Sequence, residues 1–155
     1  MRRFTAAALA LIILCGLFCT SALSAADVIF VAINDSIPSA LSEASMPFYS
    51  GGALYLPYTV FNTAVLGIVP TYNSAGRTLT LTSDSGQLVF DISGGTASDA
   101  SGTSYEQAAL IRYGIVFVPA GFCVVYFGLS ISYLTSLGGY PVVRLKTGDE
   151  VYSDT

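Results

Sequence analysis

Nucleophilic catalysis by serine or cysteine needs a base within hydrogen-bonding reach, and this chain of 155 residues has no histidine. That excludes Ser-His and Cys-His catalysis, histidine-ligated metals and a histidine pH switch. For Ser130 or Ser132 the remaining base is Lys146, the only lysine in the chain. It stands in the strand-like run Val142-Val143-Arg144-Leu145-Lys146 and is expected as an outward lysine on a sheet edge. Asp84, Asp91 and Asp99 are spaced by seven and eight residues with apolar strand between them. A calcium loop alternates its oxygen ligands over a short turn, so these three are expected as solvated loop carboxylates. Glycoside hydrolysis would need two acids facing across a cleft, Asp84 and Asp91 in this chain. Gly94-Gly95 is too short to cradle a phosphate. No catalytic residue, metal ligand or cofactor is assigned.

Ten tyrosines are the remaining chemistry. A tyrosine suits a half-wet surface, with an apolar ring and a polar tip. Most are expected to pack small sheets. Tyr49, Tyr113 and Tyr140 fall at expected loop tips, and they are the candidates for an exposed patch that stacks on sugar rings or on another protein.

Residues 1–26 read as a secretory signal peptide. Arg2 and Arg3 form the positive start, Ala6 to Phe18 is an uncharged apolar run, and Ser24 and Ala26 suit a cut before Asp27, with a cut after Ser24 fitting almost as well. The run is short for a membrane span, so no integral span is expected after signal removal, although an uncleaved anchor is the alternative. The expected product, residues 27–155, is the size of one domain. It keeps four basic residues against ten acidic ones, a net charge of −6. Nucleic acid needs clustered cations, so it is excluded as a partner. Cys15 and Cys19 leave with the leader, and Cys123 alone remains, in the apolar run Gly121 to Val125. An internal disulfide is then impossible, and a buried thiol serving as a small hydrophobe is expected.

The segment Val28 to Ile33 predicts a strand, with a return over Ile37 to Leu41 that Pro38 weakens. Ser50-Gly51-Gly52 between two apolar runs predicts a hairpin. After Pro57, apolar Val60, Phe61, Ala64 and Val65 predict a helix over Tyr58 to Leu66 that ends at Gly67. Strands follow at Ile68 to Tyr72, Arg77 to Thr82 and Gln87 to Ile92, the second with clean polar-apolar alternation. Ser93 to Ser104 has linker composition and is expected as a loop or short turn, the one plausible break in the chain.

Beyond that stretch the pattern begins again. Leu54-Tyr55-Leu56-Pro57 matches Val116-Phe117-Val118-Pro119, and Leu66-Gly67-Ile68 matches Phe127-Gly128-Leu129. The offset is 62 residues at the prolines and 61 at the glycines. Tyr72 and Tyr133 each follow their glycine by five residues. A fixed offset over several anchors points to duplication, with units at about 28–92 and 105–147. The run Phe122 to Phe127 is a poor helix by propensity; its place between Pro119 and Gly128 in the repeat predicts a helix all the same. The expected fold class is α+β, mainly antiparallel β-sheet, built from two related units of hairpin, short helix and hairpin.

The order of turn-glycine, aromatic strand ending in proline, short helix ending in Leu-Gly or Phe-Gly, Tyr-bearing strand and Thr-Leu-Thr-Leu strand resembles the copper amine oxidase N-terminal domain-like family. The likeness is carried by Gly51, Gly52, Leu54–Pro57, Phe61, Leu66, Gly67, Tyr72 and Arg77–Leu81, then by Gly114, Val116–Pro119, Phe127, Gly128, Tyr133 and Leu145. It spans residues 28–147. The chain departs from the family where Tyr58-Thr59 and Ala120-Gly121 follow the prolines in place of Leu-Arg and an acid, which marks a divergent member. Members are stalk-like domains, often duplicated, in exported and surface proteins of Gram-positive bacteria. The resemblance therefore implies a secreted or cell-surface, non-catalytic structural or interaction module, with another surface protein or a cell-wall glycan as partner. The copper and quinone of the parent oxidases belong to a histidine-bearing catalytic domain, and neither is assigned here.

Overall fold

Turns fix the register of this protein. Gly51 and Gly52 both have positive φ, 57° and 82°, which is the two-residue turn whose twist matches paired strands. It joins β2 (Phe48–Ser50) to β3 (Ala53–Pro57), after β1 (Phe30–Ile33). In the computed structural model, which describes residues 28–37, 41–136 and 139–148, this hairpin forms half of a four-stranded sheet. The other half is β9 (Leu110–Arg112) and β10 (Ile115–Pro119), joined by Tyr113 (φ 52°) and Gly114 (φ 77°). The order is β2-β3-β10-β9, so β3 and β10 lie antiparallel at the centre, Leu56 opposite Val118. Tyr55 faces Pro119, and Phe117 faces Pro57.

Between the hairpins runs a five-stranded antiparallel meander: β4 (Val69–Asn73), β5 (Thr78–Ser83), β6 (Gly86–Asp91), β7 (Thr96–Asp99) and β8 (Ser104–Tyr105). After β10 comes α1 (Ala120–Tyr126), then β11 (Leu129–Ser136) and β12 (Tyr140–Thr147). β12 is the middle of a third sheet, antiparallel to β11 and parallel to β1. The observed class is mainly antiparallel β with one α-helix among the described residues.

The core follows from alternation. Leu79 and Leu81 of β5 and Leu88 and Phe90 of β6 are fully buried on one face, while Thr80 and Val89 on the other face are half-buried. Leu54, Leu56, Val116 and Val118 join the same core from the four-stranded sheet, and Val143 and Leu145 join from β12. α1 contributes Ala120, Cys123 and Val124, the spacing of one helical face. On the opposite face of the four-stranded sheet a second aromatic cluster forms. Phe48 stacks on Tyr55 and meets fully buried Phe117 edge-on at 5.0 Å, with the Arg112 guanidinium 4.7 Å over the Phe48 ring.

Three expectations are corrected. The helix over Tyr58 to Leu66 is a single 3₁₀ turn, Tyr58–Phe61. Asn62 leaves helical geometry at ψ 66°, Asn62 and Thr63 bridge to Ile68, and the Thr63 hydroxyl accepts the Leu66 amide at 3.3 Å. The Thr63 hydroxyl and the backbone bridges to Ile68 compete with the helical ladder. The expected return over Ile37 to Leu41 falls largely on residues 38–40, outside the described residues. Ile33 and Ser36 exchange two bonds in a tight bridge, and β1 runs parallel to β12. The linker-like Ser93 to Ser104 is no break: β7 pairs with β6 from Leu88↔Asp99 to Asp91↔Thr96, and β8 with β7. Asp91 closes the first turn by accepting the Ser93 and Gly94 amides at 2.9 Å each, so small polar residues here serve turn chemistry. Lys146 is not an edge lysine. β1 covers the flank of β12, and Lys146 is 8% exposed. The helix at 120–126, against its propensity, is present.

Phe90 is the core ring between β6 and α1, edge-on to Phe122 at 6.3 Å. Phe90→Ala is expected to destabilise the fold by about 3–5 kcal/mol. Urea unfolding checks this, and a change under 1 kcal/mol would contradict the packing.

Candidate functional site

The ten tyrosines of the sequence divide by what their rings and hydroxyls touch. Tyr105 and Tyr126 are structural. The Tyr126 hydroxyl donates to the Gln87 carbonyl at 2.8 Å, and the Tyr105 hydroxyl donates to Asp99 at 2.8 Å. With Phe90, Phe122 and Phe127 they form a ring cluster that ties α1 to the meander. Tyr55 is spent on Phe48. Tyr152 lies outside the described residues, as do the leader and the acidic tail at Asp149, Glu150 and Asp154.

The three candidates from the sequence are bare: Tyr49 is 59% exposed, Tyr113 70% and Tyr140 49%. The structure does not gather them into one constellation of contacts. Tyr49 sits on edge strand β2 beside Tyr133 of β11, which is itself 59% exposed. Partial burial, and then the Tyr49 neighbour, push the Tyr133 hydroxyl above its ordinary pKa. Tyr140, at the start of β12, packs edge-on against Phe30 at 5.9 Å. Tyr113 holds the left-handed position of the β9–β10 turn, with the Arg112 guanidinium 5.1 Å from its ring centre.

Tyr58 and Tyr72 are half-buried with rings 6.1 Å apart at 46°, and neither was expected from the sequence as a binding residue. Tyr58 opens the 3₁₀ turn and Tyr72 lies on the half-buried side of β4. They line a depression of about 310 Å³ with Ser42, Thr59 and Gly114. A second depression, about 400 Å³, is lined by Ser42, Glu43, Ala44 and Tyr113. A Pro-Tyr pair at the head of a 3₁₀ turn was the available signal for Tyr58. Tyr72 was marked in the sequence only as a repeat anchor, which says nothing of a ligand.

The other chemical candidates resolve individually. Asp84 lies in the β5–β6 turn and Asp91 at the far end of β6, roughly 20 Å of strand away, so they do not face one another. Asp99 is no merely solvated carboxylate. It accepts the Ser101 hydroxyl at 2.6 Å, the Ser101 and Thr103 amides at 2.9 Å each, and Tyr105. These donors, the Ser101 hydroxyl first, hold its carboxyl down at about 2. The register sets Ser130 opposite Lys146, but the Ser130 hydroxyl donates to the Gly148 carbonyl at 2.9 Å and directs its proton there. Cys123 is fully buried on α1, and burial pushes its thiol far above the ordinary range. Among the described residues no three His, Cys, Asp or Glu side chains gather as a metal site, and no helix is long and apolar enough to cross a membrane.

No family model matches this chain, and no curated protein or solved structure matches it.

Two outcomes follow from these environments. Cys123 should stay silent to a thiol reagent such as DTNB in the native state and react as the protein unfolds; stoichiometric reaction without unfolding would contradict its burial. For Asp99 the folded pKa lies below the unfolded carboxylate value of about 3.9. Its stabilisation is therefore complete above that value and is lost as pH falls through about 2. Asp99→Ala should lower the melting temperature at pH 7, and the gap to wild type should narrow between pH 4 and 2. An unchanged gap would refute the role of the carboxylate.

Proposed function

We propose that this chain is an exported, non-catalytic structural or interaction domain of the bacterial cell surface, a stalk- or adhesion-type module related to the copper amine oxidase N-terminal domain-like family as a divergent member. In this reading it consists of two related units. The observation that carries it is the register at the centre of the four-stranded sheet. Leu56 and Val118, separated by the repeat offset of 62, are direct partners, and each neighbour pairs with the other's counterpart. The hairpins agree as well: Phe48↔Tyr55 and Tyr49↔Leu54 correspond at the same offset to Leu110↔Phe117 and Ile111↔Val116. Further on, Tyr72↔Leu79 and Pro70↔Leu81 correspond to Tyr133↔Val143 and Ile131↔Leu145. Two strand-Pro units meeting about a local twofold make a scaffold, and its outer face carries bare tyrosines suited to a partner.

A second reading, a glycan-binding module, is favoured by Tyr113, which stands 70% exposed and lines a depression with Ser42, Glu43 and Ala44. Two measurements test these readings. The full chain, expressed in a bacterial host, should be recovered outside the cytoplasm with Asp27 as its first residue; retention at full length in the cytoplasm would overturn export. Incubated with insoluble cell-wall polysaccharide, the protein should be retained if the glycan reading holds, and full recovery in the supernatant would remove that reading while leaving the scaffold one.

A further inference from the structure

The two depressions beside Tyr113 adjoin. Both are lined by Ser42, and consecutive residues Tyr113 and Gly114 line one each. Together they form a shallow cleft between the 3₁₀ turn Glu43–Ser45, the head of the Tyr58–Phe61 turn, β4 and the β9–β10 hairpin. We propose that this cleft binds an uncharged saccharide, with Tyr113, Tyr58 and Tyr72 as its ring contacts and Glu43 as its principal hydrogen-bond acceptor. The proposal rests on the glycan reading and gives it a site.

Pyranose rings present flat C–H faces and a rim of hydroxyls. They are taken up by aromatic faces flanked by groups that both donate and accept hydrogen bonds. The cleft offers that mixture. Arg112 occupies one side of the Tyr113 ring, which remains 70% exposed, so aromatic surface is left for a ligand. Tyr58 and Tyr72 are tilted at 46° and make no hydrogen bond through their hydroxyls among the described residues, so both hydroxyls are open to a sugar. Their rings are packed against the core, which holds them in place before a ligand arrives. Ser42 and Ser45 bond to each other at 3.1 Å and fix the backbone that carries Glu43. Glu43 is exposed and forms no ion pair among the described residues. Charge selects the class. The lining residues include one acid and no cation, and Arg112 is held against the rings of Phe48 and Tyr113. A phosphate-, sulfate- or uronate-bearing polymer would meet an unpaired carboxylate there, whereas a neutral chain would not.

The test is an amide ¹H–¹⁵N titration of the full chain with an oligomer of N-acetylglucosamine, an oligomer of glucose and, as the anionic arm, an oligogalacturonate. At least one neutral oligomer should shift resonances of residues 42–45, 58–59, 72 and 113–116, and the uronate should not. Tyr113→Gly, which also relieves a left-handed φ, should weaken binding about five- to tenfold with an unchanged fold. Glu43→Gln should weaken it by less, and Tyr49→Ala and Tyr140→Ala should leave it as in wild type. Shifts centred on Tyr49 or Tyr140, or full affinity in Tyr113→Gly, would overturn the cleft and keep the glycan reading. No shift with either neutral oligomer at millimolar concentration would overturn the cleft as proposed, and polysaccharide retention would then decide the glycan reading separately.

Discussion

The antiparallel contact between β3 and β10 is the constraint on which the rest of the structure depends. Its partners are about sixty residues apart, so closing it costs loop entropy that local contacts do not recover. What offsets that cost is the apolar content of the two strands. Leu54, Leu56, Val116 and Val118 are buried toward the core, and Phe117 is buried on the other face with Phe48. The proline that ends each strand lies opposite an aromatic residue of its partner. Those prolines then set where the chain leaves the sheet, one into the meander and one into α1. The meander and the β1–β12–β11 sheet are thereby brought against one core.

The two turns after the prolines show how packing overrides local preference. Tyr58 to Leu66 has the better helical spacing, yet only one 3₁₀ turn forms, because Asn62 and Thr63 bind nearby backbone instead. Ala120 to Tyr126 contains Val124 and Val125 and a glycine, all weak helix formers. It is nevertheless helical. Ala120, Cys123 and Val124 face the core, while Phe122 and Tyr126 insert into the ring cluster against Phe90 and Tyr105. Tertiary contacts supply what propensity does not.

Side-chain oxygens in turns do related work in the meander. Asp91 and Asp99 convert a stretch of Gly, Ser, Thr and Ala into two ordered connections by accepting backbone amides. Asp99 also anchors Tyr105, and through that ring it touches the cluster under α1. Asp91 and Asp99 are thus engaged in architecture. The surface chemistry left to a partner is aromatic and hydroxylic, in keeping with the proposed interaction module.

Sequence alone determined the local grammar. Alternation placed Leu79, Leu81, Leu88 and Phe90 inward, paired glycines fixed the first hairpin, and an apolar neighbourhood buried Cys123. It also removed histidine chemistry outright. These follow from interactions within a few residues, where residue type decides the outcome. Tertiary structure alone decided that β1 runs parallel beside β12 and so encloses Lys146. It decided too that residues 96–99 and 104–105 join a sheet, and that Tyr105 and Tyr126 are drawn into the ring cluster under α1. Backbone hydrogen bonds are the same for every strand, so sequence does not name a strand's partner; which surfaces remain in water is settled only when distant segments compete for the same cover.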